Sequence, residues 1–113
     1  MPTRSDMKAE TQRRVLAEAD RLFRERGLAA TTVRDIAAAS GVSVGTVMAV
    51  GDKSALLVKV FDSLIEETHA ARRETPPRGG NRVVRVLSLV GPFLQLFASR
   101  QELARAYGSI LLS

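Results

Sequence analysis

Hydrophobic residues recur with the spacing of α-helices along most of this chain, and no convincing β-strand alternation stands out. A first stripe predicts a helix from about Met7 to Arg26, and Gly27 is placed to end it. A second stripe predicts a long helix from about Lys53 to Arg73. The two stripes consist of Val15, Leu16, Ala19, Leu22 and Phe23, and of Leu57, Val60, Phe61, Leu64 and Ile65. The pattern therefore predicts an all-α protein.

Residues 32–53, TVRDIAAASGVSVGTVMAVGDK, predict two short helices joined by a tight turn. Thr32 followed by Asp35 has the spacing of a capping box at the start of the first helix. Gly41 lies where the chain must reverse, and glycine adopts the left-handed conformation at little steric cost. Ser43 can cap the second helix. This arrangement is typical of a helix-turn-helix, whose second helix can enter the major groove of DNA.

The segment TPPRGGN, residues 75–81, marks a break, because two prolines and two glycines lie within seven residues. We expect a boundary there. Residues 1–74 form a helix-turn-helix domain with a linking fourth helix, and residues 75–113 form the beginning of a second helical domain.

The segment from Arg82 to Ser99 predicts a fifth helix that is apolar on nearly every side, so other elements should bury it. Pro92 should kink this helix or end its first half. A sixth helix should begin near Gln101, and its apolar stretch is unfinished at Ser113. We therefore expect further residues or another chain to cover these two helices. Polar residues interrupt the fifth helix, so it is expected to be too short and too polar for a membrane span.

Charge favours an anionic partner. The 113 residues carry a net charge of +5, and the pI is near 10.7, which favours nucleic acid first. There are no cysteines, which fits a reducing cytoplasm, and His69 is the single histidine, so a metal site is not expected. No phosphate-binding glycine loop, nucleophile elbow or converging carboxylate pair stands out. We expect neither an enzyme nor a bound cofactor.

The runs LFRERGLAATTVRDIAAASGVSVGT and DKSALLVKVF resemble the tetracycline-repressor (TetR) family of bacterial transcription regulators over about residues 10–70. The matching positions are Gly27, Thr32, Ile36-Ala37, Gly41-Val42-Ser43, Gly45-Thr46 and Lys53. The resemblance implies a homodimeric repressor of double-stranded DNA. It also implies that the C-terminal helical domain binds a small-molecule effector and carries the dimer interface.

The resemblance, together with residue chemistry, indicates a set of DNA contacts. Thr46 can meet a phosphate or a thymine methyl, the lack of a side chain at Gly45 allows close approach, and Lys53 is implied to bind phosphate. The full set is Thr32, Arg34, Ser43, Val44, Gly45, Thr46, Met48, Ala49 and Lys53.

Several of these positions have a second interpretation. Thr32 and Ser43 are also helix caps, Arg34 can be a solvated surface residue, and Met48 can pack in the core. A cluster of basic residues near the N-terminus is expected to form a mobile arm, either solvated or on DNA. It consists of Arg4, Lys8, Arg13 and Arg14.

The second helix of the motif departs from the family pattern. The run from Val47 to Lys53 is one residue shorter than usual and has no aromatic residue. Residues 44–50 contain no Arg, Asn or Gln, so bidentate base contacts are not expected from them. Specificity should then come from thymine methyls, the N-terminal arm or DNA shape.

Phe93, Phe97 and Tyr107 are candidates for an effector pocket, and the alternative is ordinary core or dimer packing. Two other functions stay open at this point. One is a helix-turn-helix subunit of a recombinase or sigma-like factor. The other is a helical dimerisation or adaptor protein that has the fold without operator binding.

Overall fold

The computed structural model describes residues 2–74 and 80–112, and the described residues form six α-helices and no strand. The helices are α1 (Arg4–Arg26), α2 (Val33–Ser40), α3 (Val44–Val50), α4 (Lys53–Glu74), α5 (Arg82–Ser99) and α6 (Gln101–Leu112). The all-α prediction is confirmed. Most of the TPPRGGN break, residues 75–79, lies outside the described residues.

Helix α1 begins at Arg4, three residues before the predicted start. A capping box explains the difference, because the Asp6 N–H donates to the Thr3 hydroxyl at 3.1 Å. The Thr3 N–H donates in turn to the Asp6 carboxylate at 3.0 Å. The expectation of a mobile arm was wrong, since all four of its basic residues lie within α1.

The core lies where α1, α2, α3 and α4 meet. Its buried hydrophobic residues are Val15, Ala19, Leu22, Phe23, Ile36, Ala37, Val47, Leu56, Leu57, Val60, Phe61 and Leu103. The predicted stripe of α4 is only partly right. Leu56, which was not included, is fully buried, whereas Leu64 and Ile65 are half-buried.

The turn of the motif has the predicted geometry. Gly41 adopts φ 69° and ψ 31°, and helices α2 and α3 bend by 106° across it. Helix-turn-helix motifs place their helices at about 90–120°. Thr31, just before α2, is fully buried. Its hydroxyl lies 2.8 Å from the carbonyl oxygen of Gly27 and 3.2 Å from that of Leu22, which ties this loop to the end of α1.

Helix α5 continues through Pro92 and does not end there. None of its residues is buried, so the cover expected for it is not supplied by the described part of the chain. With 18 residues and a mean hydropathy of 1.3, α5 reaches the lower bound for a membrane span, contrary to the expectation from sequence. Core helices of soluble proteins can have the same length and hydropathy, so these two properties do not by themselves identify α5 as a membrane span.

Helix α6 packs against the N-terminal helices. Leu103 is buried in their core, and the Arg100 guanidinium donates to the Asp20 carboxylate at 2.6 Å. The Leu28 N–H donates to the Glu102 carboxylate. The domain boundary at residues 74 and 75 stays a prediction, but α6 shares a core with the helix-turn-helix.

Candidate nucleic-acid interface

Helix α3 buries one side and exposes the other. Val47 is fully buried, while Val44 and Met48 are 42% and 50% exposed, and Ala49 is also exposed. Successive residues of a helix are about 100° apart, so Met48 and Ala49 turn away from Val47, and Val44 lies one turn before Met48 on the exposed side. The alternative of core packing for Met48 is therefore wrong, and α3 presents an apolar face to solvent.

The start of α3 is held by a serine cap. The Thr46 N–H donates to the Ser43 hydroxyl at 3.1 Å, and the two hydroxyl oxygens lie 2.9 Å apart. The predicted cap at Ser43 is confirmed. A hydroxyl offers one donor and two acceptor positions, so this pairing leaves both groups with capacity for a further hydrogen bond.

The fold of the protein alone does not require glycine at position 45. A Cβ atom built there meets only the Ser43 hydroxyl oxygen, at 3.8 Å, which is ordinary contact distance. Gly51, at the other end of α3, differs, because its Cβ would lie 2.7 Å from the Cβ of Ala55. Packing within the fold therefore requires glycine at position 51. At position 45 it does not, so a requirement for glycine there would have to come from a binding partner.

At the start of α2, a capping box lies beside the exposed cation of Arg34. The Asp35 N–H donates to the Thr32 hydroxyl at 3.1 Å, and the Thr32 N–H donates to the Asp35 carboxylate at 3.0 Å. These hydrogen bonds, first that of the Thr32 backbone, hold the pKa of the Asp35 carboxyl below its usual value, and the charge of Arg26 adds to them. Arg34 is exposed, and it has no ion pair within the described part of the chain.

Lys53 lies in the first turn of α4, where the Ala55 N–H donates to the carboxylate of the capping residue Asp52 at 2.9 Å. The Lys53 ammonium is 3.4 Å from the carbonyl oxygen of Ala29, a long and exposed contact. A phosphate would be a stronger partner for this ammonium than that neutral carbonyl.

Lys59 is a further residue of the site, and the sequence pattern did not indicate it. Its ammonium donates to the Val50 carbonyl oxygen at 2.6 Å and so binds the last residue of α3. Cations at a helix C-terminus are favourable because they meet its unpaired carbonyls. The sequence signal is only a lysine beside an apolar stripe, and nothing in it names the partner.

The three aromatic candidates for an effector pocket pack on α4. The rings of Phe97 and Tyr107 lie 5.4 and 4.6 Å from that of Phe61, and Phe93 lies 4.7 Å from the ring of His69. The Tyr107 hydroxyl donates to the Asp62 carboxylate at 2.7 Å, and this hydrogen bond raises the pKa of Tyr107.

A groove of about 980 Å³ lies elsewhere, between the α1–α2 loop, the start of α4 and α6. Lys53, Glu102 and Arg105 are among its lining residues. None of the three aromatic candidates lines this groove, so the groove and the aromatic cluster are separate features.

Residues 15–49 match the family model described as bacterial regulatory proteins, tetR family. These 35 of the 113 residues are similar to the DNA-binding domain of TetR-family regulators. The matched segment runs from the first buried residue of α1, Val15, through α2 to the exposed Ala49 of α3. Neither the curated proteins nor the solved structures gave a match.

The TetR match confirms the resemblance found in the sequence, and it supports a DNA-binding transcription regulator. The helix-turn-helix that the match identifies is the one whose α3 exposes an apolar face. The family consists of regulators rather than enzymes.

Proposed function

We propose that this protein is a ligand-responsive repressor that binds a palindromic operator as a homodimer, with α3 in the major groove. The observation that carries the proposal is that α3 buries one side in the core and exposes an apolar side to solvent. Val47 is fully buried, whereas Val44 and Met48 are exposed. An apolar face on a short exposed helix is costly in water but suits the thymine methyls of a major groove.

The proposed contacts fall into two groups. Phosphates are bound by cations and hydroxyls around the motif: Thr32, Arg34, Ser43, Thr46 and Lys53. Base edges are met by the apolar residues Val44, Met48 and Ala49, and Gly45 lets the α3 backbone approach. Because no bidentate donor faces the groove, sequence choice rests on thymine methyls and on DNA shape.

Residues 1–74 would supply the DNA-binding domain, and residues 75–113 would begin the domain for effector binding and dimerisation. In a homodimer, two-fold symmetry would place the α3 helices about 34–36 Å apart, or a multiple of that distance. The packing of α6 supports a route from effector to DNA, since Leu103 of α6 lies in the helix-turn-helix core and Arg100, just before α6, pairs with Asp20 of α1. The protein would act in the cytoplasm without catalytic activity, and Phe93, Phe97 and Tyr107 would lie beside the effector.

Selection of DNA fragments by the purified protein, followed by titration of the selected operator at several salt concentrations, tests the proposal. Lys53→Gln should reduce the slope of log affinity against log salt by about 0.9, the value for one phosphate contact. Arg73→Gln is the matched control, because it removes one exposed charge about 30 Å along the same helix.

Binding of two chains per palindrome would support the homodimer. Failure of the wild-type protein to bind any duplex at low salt would favour the helical adaptor instead. A slope that is the same for wild type and Lys53→Gln would remove Lys53 from the phosphate contacts.

A further inference from the structure

A groove of about 540 Å³ separates the first turns of α1 from α3. One face of α1 forms its first wall, where Arg4 and Lys8 lie one turn apart. The α3 residues Thr46 and Ala49, both proposed to face DNA, form part of the opposite wall. The groove is therefore continuous with the proposed DNA-binding face.

The groove is lined by cations and by no acidic side chain of the described residues. Arg4, Lys8 and Lys59 supply three positive charges. The two nearby carboxylates already have partners: Asp6 accepts a hydrogen bond from the Thr3 N–H, and Glu10 forms an ion pair with Arg13.

Arg4 and Lys8 are both exposed and have no ion-pair partner in the described part of the chain. Like charges four residues apart destabilise a helix slightly, and cations near a helix N-terminus oppose its dipole. The arrangement is therefore unfavourable for α1 alone and favourable once an anion lies between the two helices.

The first turns of α1 are also held in place before any partner binds. Val15 is the first buried residue of the helix, so about three turns extend beyond the core. The Thr3–Asp6 capping box keeps this extension helical to Arg4. A helix fixes its side chains with less entropy loss on binding than a mobile arm would.

We propose that this groove binds the phosphate backbone of the DNA strand that runs beside α3, with Arg4 and Lys8 as phosphate ligands. The inference rests on the proposed DNA binding and adds a second phosphate surface to it. This surface is distinct from Lys53, which contacts Ala29 just beyond the opposite end of α1. Lys59 is a positioning residue, because its ammonium holds the Val50 carbonyl at the edge of the groove.

The double variant Arg4→Gln/Lys8→Gln tests the proposal by titration of operator and random duplex DNA against salt. The slope of log affinity against log salt should fall by about 1.8, corresponding to two phosphate contacts. Affinity should fall by the same factor for operator and random duplex, since phosphate contacts carry no sequence information.

Arg13→Gln/Arg14→Gln is the control, because it removes two exposed charges from the next turns of α1, outside the groove lining, where Arg13 is the ion-pair partner of Glu10. Its slope should stay at the wild-type value. The proposal is overturned if both double variants reduce the slope equally, or if Arg4→Gln/Lys8→Gln keeps the wild-type slope. If the wild-type protein binds no DNA, the proposed function itself has failed, which is a separate outcome.

Discussion

Replacing Gly45 with alanine separates what the fold needs from what DNA binding needs. The added methyl group meets only the Ser43 hydroxyl oxygen, at 3.8 Å, so the folded state accepts it without strain. Alanine also has less freedom than glycine in the unfolded chain, so the free energy of unfolding should rise by about 0.4–1 kcal/mol. If the α3 backbone approaches DNA at this position, operator affinity should fall roughly tenfold, or by about 1.4 kcal/mol.

Two other glycines of the motif provide controls. Gly41→Ala places a Cβ at φ 69° and should destabilise the fold by about 1–2 kcal/mol. Gly51→Ala brings a Cβ within 2.7 Å of Ala55 and should cost about 1–3 kcal/mol. Urea unfolding measures stability, and fluorescence anisotropy with the selected operator measures affinity. Wild-type operator affinity in Gly45→Ala would refute the close approach of Gly45 to DNA.

Two further predictions concern the loop before α2 and the cap of that helix. Thr31→Val removes a buried hydroxyl next to the carbonyls of Gly27 and Leu22, so urea unfolding should show a loss of about 1–3 kcal/mol. Thr68→Val, whose hydroxyl bonds within its own helix, should cost less, and equal losses would contradict the reasoning. The pKa of Asp35 is lowered in the folded state, so its contribution to stability is present above the unfolded pKa of about 3.9 and is lost as pH falls through the lower folded value. Asp35→Asn should remove that part of the acid dependence, and an unchanged pH profile of the melting temperature would argue against it.

The helix-turn-helix was predictable because its signals are local. The caps at Thr32 and Ser43 and the reversal at Gly41 depend on hydrogen bonds between residues at most five apart, and the sequence displays them directly. The start of α1 was missed although the same kind of signal was present. The Thr3–Asp6 capping box lies ahead of the apolar stripe, and the stripe alone set the predicted start.

Several features of the site depended on tertiary structure. The sequence placed Met48 on α3 but left two interpretations, and only the packing of Val47 against the core turned Met48 to solvent. Likewise, Lys59 meets Val50 nine residues away, and Arg100 meets Asp20 eighty residues away.

The all-α class, the motif and most helix limits thus follow from the sequence alone, because local hydrogen bonding and periodicity fix them. The tertiary structure decided which face of α3 is free, that the basic residues Arg4 and Lys8 lie beside it, and that Leu103 joins the core. Those outcomes depend on how separate helices pack against one another. Packing brings together residues that are distant in sequence, and no local pattern records such pairs.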